Sequence, residues 1–189
     1  MGAAGIPRRE RGRLTDAALR ALPDLISGRI SRGPDGSEFR LGPGATVPPI
    51  VVGGISEAAL ARAAGADGWF GVPLPPVEMA RLSGRLAELA AAQGRSTPTI
   101  TGLVMAAVTG DPGVTDRGAV VRAVADPAGM WGFPYEAAEA MVVSGPPSAI
   151  AEHLATLGEA GVQRLTVTPT LGTWSRQAEL LAEAVRILG

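Results

Sequence analysis

The chain has 189 residues, 46% of them hydrophobic, and its 17 basic and 18 acidic side chains leave a formal net charge of −1. This length is enough for one domain with a hydrophobic core, but it is short of the roughly 250 residues of a closed eight-stranded α/β barrel. All basic residues are Arg, there is no Cys, and His153 is the single His. These counts exclude lysine Schiff bases, disulfides and cysteine nucleophiles or metal ligands from this chain.

The charge pattern and the apolar runs limit the partners that the chain can have. No basic stripe is present, so we expect no nucleic-acid partner. The first residues carry charges where a signal peptide needs an apolar stretch, and no apolar run is long enough to span a bilayer. We therefore expect a cytoplasmic protein without a membrane partner. No cluster has metal-ligand spacing, so we predict no metal site.

The first 49 residues predict one helix and a long loop. Thr15-Asp16 can cap a helix over residues 17–26, in which Pro23 predicts a kink or a break. Residues 29–49 are rich in turn formers and predict a loop with at most a short hairpin around residues 38–41.

The segment from residue 50 to 108 alternates strands with helices. Residues 50–52 form a short apolar run ended by Gly53 and Gly54, which is typical of a buried parallel strand. Ser56 is the expected N-cap of the helix that follows. Helices are predicted over residues 57–64 and 76–93, and strands over residues 66–71 and 99–108.

The remaining segment continues the alternation. Helices are predicted over residues 116–125, 136–142, 148–158 and 176–188, and a strand over residues 162–169. Strands that alternate with helices favour parallel pairing through right-handed crossovers. We see no linker long enough to divide the chain, so residues 1–189 are interpreted as a single α/β domain.

The clearest candidate site is the turn formed by Gly53, Gly54, Ile55 and Ser56, between a predicted strand and a helix N-terminus. Backbone N–H groups and the helix dipole at such a turn can bind an anion, and two glycines would allow a phosphate to approach closely. An ordinary tight turn with a serine cap explains the same residues. The Gly-x-Gly-x-x-Gly pattern of dinucleotide-binding proteins is absent.

Three other features of the sequence are candidates for functional residues. Trp69, in the sequence Asp67-Gly68-Trp69-Phe70, could flank a planar ring, although a large aromatic at a strand end is more often part of the core. His153 lies within an amphipathic helix and is more simply a structural residue than a catalytic one. Asp111, Asp116 and Asp126 lie in loop or cap positions beside Pro or Gly and are typical of turns. No residue is convincing as a general base, so the catalytic residues are unknown.

Three segments together resemble the C-terminal half of the luciferase-like monooxygenases, which are flavin- or deazaflavin-dependent oxidoreductases. Residues 11–19 read Arg-Gly-Arg-Leu-Thr-Asp-Ala-Ala-Leu, with Ala17 where the family has Glu. Residues 49–56 read Pro-Ile-Val-Val-Gly-Gly-Ile-Ser and run on through a helix to Trp69-Phe70. Residues 143–147 read Val-Ser-Gly-Pro-Pro and lead through a helix to Glu-Ala-Gly-Val at 159–162.

The resemblance implies parallel (β/α) units of the TIM-barrel type, about half to five-eighths of a barrel. It implies that Gly53, Gly54, Ile55 and Ser56 contact the phosphate side of FMN or a deazaflavin coenzyme, with Trp69 as a neighbour of the ring. The family's first four strands would precede Met1, and they supply much of the ring-binding wall. The implied activity is oxidation or monooxygenation of a small organic substrate.

Three alternatives stay open. The chain could be a fragment or short paralogue of an oxidoreductase, or a non-catalytic half-barrel that serves as a binding or assembly module. The third alternative is that the start site is misplaced and the native protein is longer. A half-barrel exposes two sheet edges, which are a liability in a soluble protein. We therefore expect a homodimer that covers these edges.

Overall fold

The computed structural model describes residues 7–33 and 36–189. By packing, the chain divides into two compact units, Met1–Ile50 and Val51–Gly189. Part of the turn-rich stretch, at residues 34–35, lies outside the described residues. The interpretation of residues 1–189 as one domain stays a prediction.

The first unit is built on a helix longer than the sequence indicated. Helix α1 (Arg8–Ile26) begins after Pro7 and continues through Pro23. The predicted cap at Thr15 and Asp16 is therefore wrong, because the arginine-rich segment before it has high helix propensity and extends the helix upstream. Thr15 Oγ1 donates a hydrogen bond to the carbonyl of Arg11 (2.8 Å) inside the helix.

The predicted loop contains a two-stranded ribbon. Strands β1 (Ser31–Arg32) and β2 (Glu38–Phe39) pair antiparallel, with Arg32 opposite Glu38. The guanidinium of Arg32 contacts the Glu38 carboxylate at 2.8 Å. The short hairpin expected near residues 38–41 is thus present, at residues 31–39.

The second unit contains a five-stranded sheet in which every described pairing is parallel. In chain order its elements are β3 (Val51–Gly53), α2 (Glu57–Ala64), β4 (Gly68–Gly71), α3 (Pro76–Ala92), β5 (Thr99–Val108), α4 (Arg117–Ala125), α5 (Tyr135–Met141), β6 (Val142–Gly145), α6 (Pro147–Glu159), β7 (Arg164–Pro169) and α7 (Trp174–Leu188). This confirms the predicted α/β class with parallel (β/α) units.

Two sequence predictions in this unit need correction. Strand β3 was expected to be buried, but Val51 is 47% exposed, because β3 pairs only with β4 among the described strands. Strand β6 was not predicted at all, and the helix expected over residues 136–142 ends at Met141 instead.

The two faces of β5 carry separate cores. Ile100, Val104 and Ala106 pack in a cluster with side chains of α2, α3, α6 and α7. Met105 and Ala107 pack in a second cluster with α4, α5 and β6. Because successive side chains of a strand point to opposite faces, α4 and α5 cover the face that the other four helices leave open.

Within residues 7–33 and 36–189, no helix is long and apolar enough to cross a membrane.

Candidate functional site

The carboxyl ends of the parallel strands lie at one edge of the sheet, where loops of α/β proteins commonly bind ligands. The strands end there at Gly53, Gly71, Val108, Gly145 and Pro169. The Gly53–Ser56 turn belongs to this edge, so the structure places the predicted candidate where the fold favours a site.

Gly54 and Ser56 shape the turn. Gly54 has a φ of +110°, a region that L side chains rarely adopt, and an added Cβ would lie 3.0 Å from Cβ of Ala59. Ser56 caps α2, since its Oγ accepts a hydrogen bond from the Ala59 N–H at 3.2 Å. The predicted N-cap is confirmed, and the backbone conformation explains why position 54 is glycine.

Gly53 differs from its neighbour because its local structure does not demand glycine. It has no positive φ, and the nearest atom to an added Cβ is the carbonyl oxygen of Phe70 at an ordinary 3.6 Å. By contrast, an added Cβ at Gly71 would meet Met79 at 3.1 Å, and one at Gly145 would meet Ala149 at 3.0 Å. Gly53 thus leaves open space beside the turn that a side chain would fill.

Trp69 is hydrogen-bonded to the turn. Its side chain is 0% exposed and belongs to the core, so the indole offers no surface to a bound ring. Its Nε1–H donates a hydrogen bond to the carbonyl of Gly54 at 2.8 Å. Trp69 is therefore a core residue, and it contacts the turn through the hydrogen bond to the Gly54 carbonyl.

An ion pair lies at the start of α2. The carboxylate of Glu57, in the first turn, binds the guanidinium of Arg85 on α3, and Arg85 Nη1 also contacts Glu88 at 2.8 Å. The hydrogen bond from Arg85 lowers the pKa of Glu57. The negative charge that Glu57 brings to this helix end is thus offset by the neighbouring cation.

Ile55 is 49% exposed at the turn. It and the three other turn residues are brought together in one turn, while Trp69 reaches the turn only through its hydrogen bond.

A buried polar network joins the loops that follow β5 and β7, and it contains Asp111, which the sequence indicated as a turn residue. Gln177, the other member, was not predicted. Asp111 accepts hydrogen bonds from the N–H of Gly113 (2.8 Å) and of Thr173 (2.7 Å). Gln177, on α7, accepts from the N–H of Val108 (2.8 Å) and donates to its carbonyl (2.9 Å). Gln177 Nε2 also lies 3.3 Å from Asp111 Oδ2.

This network links two loops at the carboxyl edge of the sheet. The amides of Gly113 and Thr173 lower the pKa of Asp111, since they stabilise its charged form. Gly172 packs directly on the carboxylate, with a φ of +90°. A sequence signal did exist: Gln177 falls in register with Leu180 and Ala184, the other buried positions of α7.

His153 lies on α6 and is partly buried, and burial lowers its pKa. No group of His, Asp and Glu side chains suited to a metal ion occurs among the residues that the structure describes.

No protein-family model matches the chain. Uncharacterized proteins of Mycobacterium bovis and Mycobacterium tuberculosis are 34% identical over 99 residues, which are 50% of this chain and 34% of those proteins. The match therefore spans only a third of the length of these curated relatives.

Solved structures match over nearly the whole chain. An F420-dependent secondary alcohol dehydrogenase with an F420–acetone adduct is 14% identical, with a TM-score of 0.74 over 100% of this chain and 65% of that one. A riboflavin lyase with modified FMN and riboflavin is 15% identical (TM-score 0.69, 98% and 59%). An EDTA monooxygenase from Chelativorans sp. BNC1 is 14% identical (TM-score 0.66, 97% and 60%).

The chain therefore has the fold of flavin- and F420-dependent oxidoreductases and monooxygenases. This is the fold of the luciferase-like monooxygenases, as the resemblance implied, and the chain spans about two thirds or less of each of these enzymes. At this level of identity the likeness establishes the fold.

Proposed function

We propose that the chain is the coenzyme-phosphate-binding part of a flavin- or deazaflavin-dependent oxidoreductase or monooxygenase that acts on a small organic molecule. The coenzyme is FMN or a deazaflavin such as F420. Its phosphate lies at the turn of Gly53, Gly54, Ile55 and Ser56.

The observation that carries this proposal is the open space at Gly53. Gly54 is explained by its backbone conformation, but neither φ nor packing explains glycine at position 53. A glycine inside a strand weakens the strand and often marks a place where a ligand approaches the backbone. Because Gly53 ends a strand at the ligand-binding edge, a bound group accounts for its identity.

The turn also has the chemistry that a phosphate requires. The N–H groups of Glu57 and Ala58, in the first turn of α2, have no intrahelical acceptor, and the helix dipole favours an anion there. The Ser56 hydroxyl accepts from Ala59 through its lone pair, so its own proton can be donated to a phosphate oxygen. Arg85 offsets the carboxylate of Glu57 that would otherwise repel the anion.

A coenzyme of this kind supplies the hydride- or oxygen-transfer chemistry, and the protein supplies binding and orientation. In this chain the turn would bind the phosphate, and Trp69 would hold the turn in place through Gly54. No general base is assigned. Within residues 7–33 and 36–189, the structure records Glu57 as the acidic side chain next to the turn, and Glu57 is paired with Arg85.

The test is a titration of the purified protein with FMN and with F420, followed by coenzyme fluorescence. Gly53→Asp introduces a negative charge beside the phosphate without backbone strain, so we expect at least about a tenfold weaker Kd. Gly84→Asp, on α3, makes the same change where no atom lies within 4 Å of the added Cβ, and it should leave Kd unchanged.

The alternative is a non-catalytic binding or assembly module. Its supporting observation is the exposed edge strand β3, where Val51 is 47% exposed. A folded protein that binds neither coenzyme at millimolar concentration would contradict the enzyme proposal and favour the module. A homodimer through this edge stays a prediction, which sedimentation equilibrium would test.

A further inference from the structure

A cavity of about 250 Å³ lies within the second unit, between the start of α3, the middle of β5, β6 and α6. Pockets for drug-sized ligands usually measure roughly 300–1,000 Å³, so this cavity suits a smaller molecule. It shares no residue with the Gly53–Ser56 turn.

The cavity arises from a break in the sheet. β4 pairs with β5 as far as Gly102, and β6 pairs with β5 from Met105 onward. β7 pairs with Thr101–Ala106, so it occupies the other side of β5, and β4 and β6 share one side. Leu103 and Val104 therefore have no strand partner on that side, and both line the cavity.

Arg117 brings a positive charge to this space, and no acidic side chain lines it. The cavity is lined by Arg117, Ser144 and His153, and by no Asp or Glu. Arg117 Nη2 donates to the carbonyls of Glu139 (2.6 Å) and Val142 (3.3 Å), which holds the guanidinium at the cavity.

Several donors remain for a ligand. Within residues 7–33 and 36–189, the structure gives no hydrogen-bond partner to the Ser144 hydroxyl, to the His153 imidazole or to Arg117 Nε and Nη1. Burial lowers the pKa of His153, so its imidazole is neutral near pH 7 and can donate one hydrogen bond. The remaining walls, including Leu74, Leu103 and Met141, are apolar.

We propose that this cavity binds a small organic carboxylate, whose charged group pairs with Arg117 and is hydrogen-bonded by Ser144 and His153. Arginine and carboxylate form charge-assisted hydrogen bonds that are stronger than neutral ones. The apolar body of the ligand packs on Leu103 and Met141. This site does not depend on the coenzyme, so its test is separate from that of the proposed function.

The test uses three probes with one carbon skeleton: cyclohexanecarboxylate, cyclohexylmethanol and cyclohexylmethylammonium. Because His153 is the single histidine, its imidazole gives one set of NMR signals that reports on the cavity directly. We expect cyclohexanecarboxylate to shift these signals saturably and to bind at least tenfold more tightly than the alcohol, with the ammonium weakest. Equal affinities, or no saturable shift with the carboxylate, would overturn the proposal.

Matched variants assign the preference to Arg117. Arg117→Gln should remove the tenfold preference for the carboxylate, while Arg122→Gln makes the same charge change on α4 outside the cavity and should retain it. Circular dichroism verifies folding, and if Arg117→Gln does not fold, Ser144→Ala should weaken carboxylate binding several-fold. An equal loss in both arginine variants, or an unchanged affinity in Ser144→Ala, would refute the assignment.

Discussion

Gln177 is the side chain whose replacement tests the strand-end network most directly. It is 0% exposed, and its amide makes both hydrogen bonds of the Val108 backbone, at 2.8 and 2.9 Å. Gln177→Met keeps the length and shape of the side chain but removes both bonds. The Val108 N–H and carbonyl would then be buried without a partner, since Val108 and position 177 are both fully buried.

The expected magnitude follows from those two groups. Leaving a buried donor or acceptor unsatisfied costs about 1–3 kcal/mol, so two such groups predict a loss of roughly 2–6 kcal/mol. The free energy of unfolding of a domain is only about 5–15 kcal/mol. We therefore expect Gln177→Met to lower the urea midpoint strongly, with little change in the slope of the transition.

Gln163→Met is the matched control, because Gln163 also bonds the backbone of β5. Its Oε1 accepts from the Ile100 N–H at 2.6 Å, but Gln163 is exposed and water can replace it. We expect a loss of at most about 1 kcal/mol from urea denaturation followed by circular dichroism. Equal destabilisation by the two variants would refute the argument that burial of the Val108 groups sets the cost.

Three further predictions concern the turn and the histidine. Gly54→Ala should lower stability by at least about 1 kcal/mol, because φ at this position is +110°, and thermal unfolding measures the loss. Trp69→Phe removes the donor to the Gly54 carbonyl, so it should both destabilise the protein by about 1–3 kcal/mol and weaken coenzyme binding in the fluorescence titration. Burial holds the pKa of His153 below its ordinary 6.5, which NMR titration of this single histidine measures. The unfolded chain takes up the proton more readily, so the free energy of unfolding should fall as pH drops below 6.5 and should lose this dependence in His153→Gln.

Local patterns predicted those elements whose ends carry their own signals. Ser56 caps α2 as its position before the apolar helix indicated, and strand β5 occupies residues 99–108 as predicted. The start of α1 was missed because Thr15 has the pattern of an N-cap, although the arginine-rich segment before it is also helical. The Thr15 hydroxyl does not cap the helix but donates to the Arg11 carbonyl within it. Burial of β3 was misjudged because an apolar run does not show whether both neighbours of a strand are present.

The candidate site was predictable only in part. The glycine pair and the serine cap mark the turn, but only the backbone angles show that Gly54 is required by conformation and Gly53 is not. Trp69 reaches the turn through a hydrogen bond between residues fifteen positions apart, which no short motif encodes. Asp111 and Gln177 are 66 positions apart, so their contact depends on how β5 and α7 pack.

Strand β6 was not predicted from the sequence, and its residues line the cavity. Val142–Gly145 is only four residues long and follows directly on α5, so its periodicity cannot be distinguished from the end of a helix. Because β6 joins β5 beyond the point where β4 leaves it, Leu103 and Val104 are left without a partner on one side. The same pairing places Ser144 opposite Ala107, within the β5–β6 ladder that begins beyond the break. The cavity is therefore a consequence of strand register, a property that the sequence of any single segment does not contain.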